Sequence, residues 1–365
     1  MTWPGPGEEP YSGPPPTRRP EPWQQPPPWW IPAAPSPLPP PVPPPAVRWQ
    51  PPPGTPPHDV PQPYLLAMRS RDWGWWRPLL GLLLLVVVYT VAAIVVVLPA
   101  LAFGVGTDFA KLDLADPLTL LVTNLSLIVA VPVVWLAWVA AHGMGRGWSS
   151  SVLGRLRPRL VGPYALMALI TLGAGIALSA GVSFVEGDEG PTGPAASFGW
   201  LLVVVVLTTP LQSAAEEYLF RGYLSQAVAA WVRAPRAGAV VAGVVTAALV
   251  SLAHLPGDLP TFLDRFAFGL AASGVVWLTG GLEAAIVLHG VNNVLVFVLA
   301  GALGDGVATE SVPGAYGLLY LLLSVASVAA YVALVGRSRH RLHPETRTAA
   351  VDLRTPGTPV PIAAG

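Results

Sequence analysis

Leu201-Leu202-Val203-Val204-Val205-Val206-Leu207 reads as the middle of a membrane span, and the same segment runs on into Glu216-Glu217-Tyr218-Leu219-Phe220-Arg221. On insertion scales a charge at the centre of a spanning helix costs about 2.5–3.5 kcal/mol, whereas a large aliphatic residue returns only about 0.3–0.6 kcal/mol. Three ionisable side chains therefore cancel most of what the aliphatic run gains. Membrane segments keep such charges where they pair, face a wet cavity or do chemistry. The fold class that follows is all-α, a polytopic membrane helix bundle, with a candidate functional site inside it.

Composition agrees. The chain is 53% hydrophobic and 11% charged, far from an ordinary soluble domain. It has no cysteine, which excludes disulfides, cysteine–zinc sites and thiol nucleophiles. The formal net charge is zero and Lys111 is the only lysine. No nucleic-acid partner is expected, and the bilayer is the expected surroundings.

Apolar runs long enough to cross about 30 Å of hydrocarbon recur near 79–103, 118–141, 160–183, 199–220, 237–256, 263–280, 283–302 and 314–336, predicting eight spans. Arginines cluster at one set of ends: Arg69, Arg71 and Arg77; Arg146, Arg155, Arg157 and Arg159; Arg233 and Arg236; Arg337, Arg339 and Arg341. The alternate loops hold Asp108, Asp113, Asp116, Glu186, Asp188, Glu189, Asp305 and Glu310. By the positive-inside rule both termini are cytoplasmic, in what reads as a bacterial plasma-membrane protein. Trp73, Trp75 and Trp76 stand where an interfacial aromatic belt belongs.

Outside the bundle, taken as residues 71–336, lie an N-terminal tail (1–70) and a C-terminal tail (337–365). About 27 of the 44 prolines fall in residues 1–64, and proline's missing donor and fixed φ favour polyproline II or disorder there. With Trp23, Trp29, Trp30 and Trp49, that tail suggests a partner that recognises proline motifs. No secretory signal peptide is legible at the start.

Glu217 and Arg221 are four apart and share a helical face in the favourable order. Glu216 lies about 100° round from Glu217. The economical division lets Arg221 neutralise Glu217, leaving Glu216 to face a cavity; a purely structural ion-pair knot is the alternative. His289 and Asn293, also four apart, aim one imidazole and one amide at a common point, or simply tie helices together. His254, near Pro256, is by itself an interfacial histidine. Together, a carboxylate, two imidazoles and an amide supply a base for water and donors for an oxyanion. No His-Glu-x-x-His, Gly-x-Ser-x-Gly or phosphate-binding glycine loop competes.

Glu-Glu-x-x-x-Arg, a later histidine and His-x-x-x-Asn, in that order on three hydrophobic segments, resemble the CAAX-processing and bacteriocin-processing (CPBP) intramembrane proteases. The resemblance covers about residues 150–300 and extends to Phe220, Gly222, Phe266-x-x-Gly269 and Thr279-Gly280. It departs at Val250, where the family usually has phenylalanine. It implies an intramembrane endopeptidase acting on a membrane-associated peptide or protein, with catalytic residues Glu216, His254, His289 and Asn293. Glu216 with His254 would activate water, His289 and Asn293 would hold the oxyanion, and Glu217 with Arg221 would support them. No cofactor is favoured, because a glutamate-activated water needs none. The alternative implied by the family is zinc on Glu216, His254 and His289, a permissible ligand set. Rival classes are a non-proteolytic immunity or scaffold protein and a proton-coupled transporter, although no repeat or pair of broken helices supports the latter.

Counting leaves one conflict. Glu216 and His289 fall nearer the arginine-rich ends of their spans, while His254 falls about 25 Å beyond the start of its own. The three meet only if helices tilt or protrude, if the fourth and fifth boundaries shift, or if Pro210 breaks the fourth span.

Overall fold

The computed structural model describes residues 55–105, 113–186, 193–194, 196–304 and 315–350. The expectations for Trp23, Trp29, Trp30 and Trp49, for Asp108, Asp188, Glu189, Asp305 and Glu310, and for residues 351–365 lie outside them. Within them the fold is all-helical, and eight helical segments are long and apolar enough to cross a membrane. It is an integral membrane protein.

The first segment is α1 (Arg77–Ala102); the second is two helices, α2 (Pro117–Ile128) and α3 (Ala130–His142), parted at Val129. Pro132 accounts for the break, because its ring excludes the carbonyl four residues back, that of Ile128. Then follow α4 (Pro158–Glu186), α5 (Phe198–Leu219), a π-helical turn (Phe220–Leu224) and α6 (Ser225–Val232). The chain reverses into α7 (Pro235–Ala253) and continues through α8 (Leu259–Thr279), α9 (Glu283–Leu303) and α10 (Ala315–Leu342). In hydrocarbon every backbone polar group must be satisfied internally, and helices do this within one segment.

Local chemistry marks the ends. Pro78, Pro117, Pro235 and Pro260 sit in first turns, where the missing amide costs nothing. Asp116 and Asp258 cap α2 and α8 by accepting from Thr119 N and Thr261 N, each at 2.8 Å. Gly280 ends α8 in the left-handed region at φ 70°, which glycine adopts without strain.

Helices α5 and α9 pack along each other, α2 backs α5, and α4 backs α9; α8 packs on α7, α9 and α10. Large apolar side chains such as Val86, Val206, Val240 and Leu322 point outward, as a bilayer-facing surface requires.

Eight spans stand as expected, but several boundaries move. The fourth runs continuously from Phe198 to Val232, past its expected end at 220 and straight through Pro210. Helix α10 reaches Leu342, so Arg337, Arg339 and Arg341 are helical rather than in the tail. The tail boundary at residue 70 also moves. Tyr64 to Met68 are buried, and Gln62 pairs with Thr348 through N–H···Oγ1 (3.0 Å) and O···H–N (2.8 Å) bonds. Tyr64 donates to the Ser149 carbonyl.

At this arginine-rich end the 145–157 loop folds against the α8–α9 turn. Arg157 holds Glu283 through Nε (2.9 Å) and Nη2 (2.6 Å), with both side chains at most 3% exposed. Such a two-pronged buried pair fixes a register rather than adding much stability. It anchors the start of α9, from which His289 and Asn293 project.

Candidate active site

The fourth span presents its polar residues where three helices meet. Glu217 is fully buried, and its Oε1 accepts from Arg221 Nη1 at 2.9 Å. Arg221 also donates through Nη2 to the Gly269 carbonyl of α8, at 3.0 Å. The pair expected from the four-residue spacing is therefore made, and it ties α5 to α8. A Cβ at Gly269 would stand 2.8 Å from Ala247 Cα and 3.4 Å from Arg221 Nη2. Only glycine lets α7 and α8 approach closely enough for that carbonyl to reach the arginine.

His289 of α9 lies between the two glutamates. Its Nδ1 is 3.0 Å from Glu217 Oε1 and its Nε2 is 3.5 Å from Glu216 Oε2. Phe268 meets the ring edge-on at 5.5 Å between centroids, which limits its rotation. The first contact is a hydrogen bond; the second is too long for a good one. Glu216 Oε2 has no hydrogen-bond partner among the described residues, and Oε1 accepts from Gln212 Nε2 at 2.7 Å. One carboxylate is thus locked in an ion pair, and its neighbour keeps one oxygen available.

Glu216, His254, His289 and Asn293 together line a cavity of about 410 Å³. Leu120 and Leu127 of α2 and Val296 and Phe297 of α9 supply apolar wall. His254 comes from the exposed end of α7, where Nδ1 contacts the Val250 carbonyl at 2.8 Å and Arg265 Nη1 donates to its own carbonyl at 3.0 Å. Nδ1 donating to a carbonyl leaves Nε2 as the histidine's working nitrogen. Asn293 directs Nδ2 towards Gln212 Oε1 and Ser213 Oγ, both at 3.4 Å, and its Oδ1 accepts from Asn292 at 3.3 Å.

The depth conflict resolves in the boundaries. Glu216 lies 16 residues before Val232 and His254 lies 19 after Pro235, about 24 and 28 Å along a helix. Since α6 and α7 pack together from their shared turn, both side chains reach one level. The turn before α9 sits deeper: Gly281 bridges to Ser151, and Leu282 packs beside Gly222. This brings His289 to the same level from a short α9 lead-in. Among the described residues no three His, Asp or Glu side chains converge closely enough to hold a metal ion.

Gln212, Ser213, Asp264 and Arg265 also belong to this neighbourhood, and the sequence reading passed over all four. Gln212 is one turn before Glu216, a spacing that could have found it. Asp264 and Arg265 are charges inside an apolar span, which the rule applied to Glu216 would have flagged equally.

Residues 196–295 match the family model described as type II CAAX prenyl endopeptidase Rce1-like. This segment is a CAAX-protease domain. It runs from the start of α5 to the middle of α9 and contains Glu216, Glu217, Arg221, His254, His289 and Asn293. No curated relative and no solved structure matches the chain. The matched segment thus carries every polar site residue named above, while α2 and α10, which lie outside it, add Leu120, Leu127 and Ser324 to the cavity lining.

Proposed function

We propose that the chain is an intramembrane endopeptidase that hydrolyses a peptide bond of a membrane-associated substrate, a prenylated C-terminal peptide being the class its CAAX-protease domain suggests. The observation that carries this reading is Glu216: a buried carboxylate that lines one cavity with two histidines and an asparagine, and whose Oε2 has no hydrogen-bond partner among the described residues. A general base must stand within hydrogen-bond reach of the proton it removes; Oε1 is occupied by Gln212, which leaves Oε2 for that role.

In this mechanism Glu216 Oε2 takes a proton from a water that His254 Nε2 helps to orient. The resulting hydroxide attacks the scissile carbonyl carbon. His289 Nε2–H and Asn293 Nδ2–H hold the developing oxyanion; with Nδ1–H donated to Glu217, His289 acts as an imidazolium between two carboxylates. Glu216 then returns its proton to the departing amine as the C–N bond breaks, leaving a carboxylate and an amine. The Glu217–Arg221 pair keeps His289 in place and touches no reacting atom. The metal-free form is favoured because both His289 nitrogens face carboxylates and Glu216 Oε1 is held by Gln212.

The test is cleavage of a fluorescence-quenched farnesylated tetrapeptide by purified protein in liposomes, wild type against Glu216→Gln. The variant keeps shape and hydrogen bonding but removes the base. It should abolish cleavage at unchanged thermal stability. Full cleavage by Glu216→Gln overturns the assignment.

A further inference from the structure

Gln212 is buried at 6% exposure, lines the cavity and makes the shortest polar contact to Glu216, at 2.7 Å. A carboxylate only accepts hydrogen bonds, so the Gln212 nitrogen, not its oxygen, must face Glu216. Its Oε1 is then turned towards Asn293 Nδ2 at 3.4 Å and accepts from Ser213 Oγ at 3.3 Å. That orientation calls for the Asn293 amide nitrogen on the same side, and the Asn293 oxygen is taken by Asn292 Nδ2 at 3.3 Å. The polarity of the carboxylate thereby sets the orientation of two successive amides.

We infer that Gln212 is a positioning residue that selects Oε2 of Glu216 as the reacting oxygen and presents the Asn293 N–H group to the oxyanion. This rests on the endopeptidase reading and adds to it a residue outside the Glu-Glu-x-x-x-Arg and His-x-x-x-Asn motifs. Oε1 keeps the same donor whether Glu216 is ionised or protonated on Oε2, so the arrangement survives the whole proton cycle. A mere packing role would not need an amide: the two hydrogen bonds run from one side chain to two residues on different helices, α5 and α9.

The experiment compares Gln212→Met, which keeps length and volume without hydrogen bonds, and Gln212→Leu with wild type, using the same liposome assay. Both should lower kcat by about 10- to 100-fold, the loss of a hydrogen bond to a charged group, with KM within about twofold. In parallel, infrared difference spectra assign the Glu216 carboxylate band as the one missing in Glu216→Gln. That band should shift in Gln212→Met. Wild-type kcat in Gln212→Met, or an unshifted Glu216 band, overturns the role. If Glu216→Gln is inactive while Gln212→Met is not, the positioning role alone fails. If wild type itself does not cleave, the endopeptidase reading fails, and the band shift still decides whether Gln212 holds Glu216.

Discussion

Replacing Arg221 by alanine tests the electrostatic centre of this bundle most directly. The wild-type guanidinium sits 2.9 Å from Glu217 and 3.0 Å from the Gly269 carbonyl, with both charged side chains at most 1% exposed. Removing one partner of a buried pair costs about 3–5 kcal/mol, because the other charge stays behind without compensation. The orphaned Gly269 carbonyl adds a smaller penalty of about 1–3 kcal/mol, partly offset because His289 still donates to Glu217. A net loss of about 3–5 kcal/mol should lower the midpoint of thermal unfolding in detergent by at least about 6 °C. It should also cut the monodisperse yield of a fluorescent fusion. The double variant Glu217→Gln with Arg221→Met removes both charges and should recover most of the yield. Arg221→Ala that accumulates and melts like wild type would falsify the compensation argument.

Three further outcomes follow from the same geometry. Gly269→Ala places a methyl 2.8 Å from Ala247 Cα, so it should force α7 and α8 apart and destabilise by about 1–3 kcal/mol, read as a lower unfolding midpoint. Asn293→Ala should reduce kcat by about 10²–10³ with little change in unfolding midpoint, as for other oxyanion donors; a rate within threefold of wild type, read in the liposome assay, would remove it from the site. A strong chelator should leave the activity of purified protein unchanged, and metal analysis by mass spectrometry should find no stoichiometric zinc; inactivation reversed by zinc would establish the metal-dependent form instead.

The fold was legible because the bilayer imposes coarse requirements. Run length is enough to count eight spans, since nothing but a helix of about 20 residues satisfies its backbone in hydrocarbon. The fourth boundary was misplaced for a physical reason as well. From Glu216 onward hydropathy falls, yet Arg221, Ser225 and Gln226 are all buried, each bonded to a partner outside its own helical turn: Gly269, Thr246 and Trp148. Hydropathy counts the cost of a polar residue and omits the tertiary partner that offsets it, so the span seemed to end 12 residues early.

The same omission governs what could be read of the site. Charges in an apolar run are costly enough to stand out, which is why Glu216, Glu217 and Arg221 were found. An amide such as Gln212 costs less and signals only through its four-residue spacing from Glu216, although it makes the shortest polar contact to that residue. His254 was weak taken alone and gained weight only beside the other polar residues, and the level it shares with them turns on distances no local pattern contains: the length of α6, the tight α6–α7 turn, and the Arg157–Glu283 clamp that seats α9. Arg157, for one, lies 132 residues before the His289 that its clamp helps to seat. A motif can therefore name the reacting groups in this protein, but their common depth is set by the ends of the helices, where the arginines, the π-helical turn and the clamp act together.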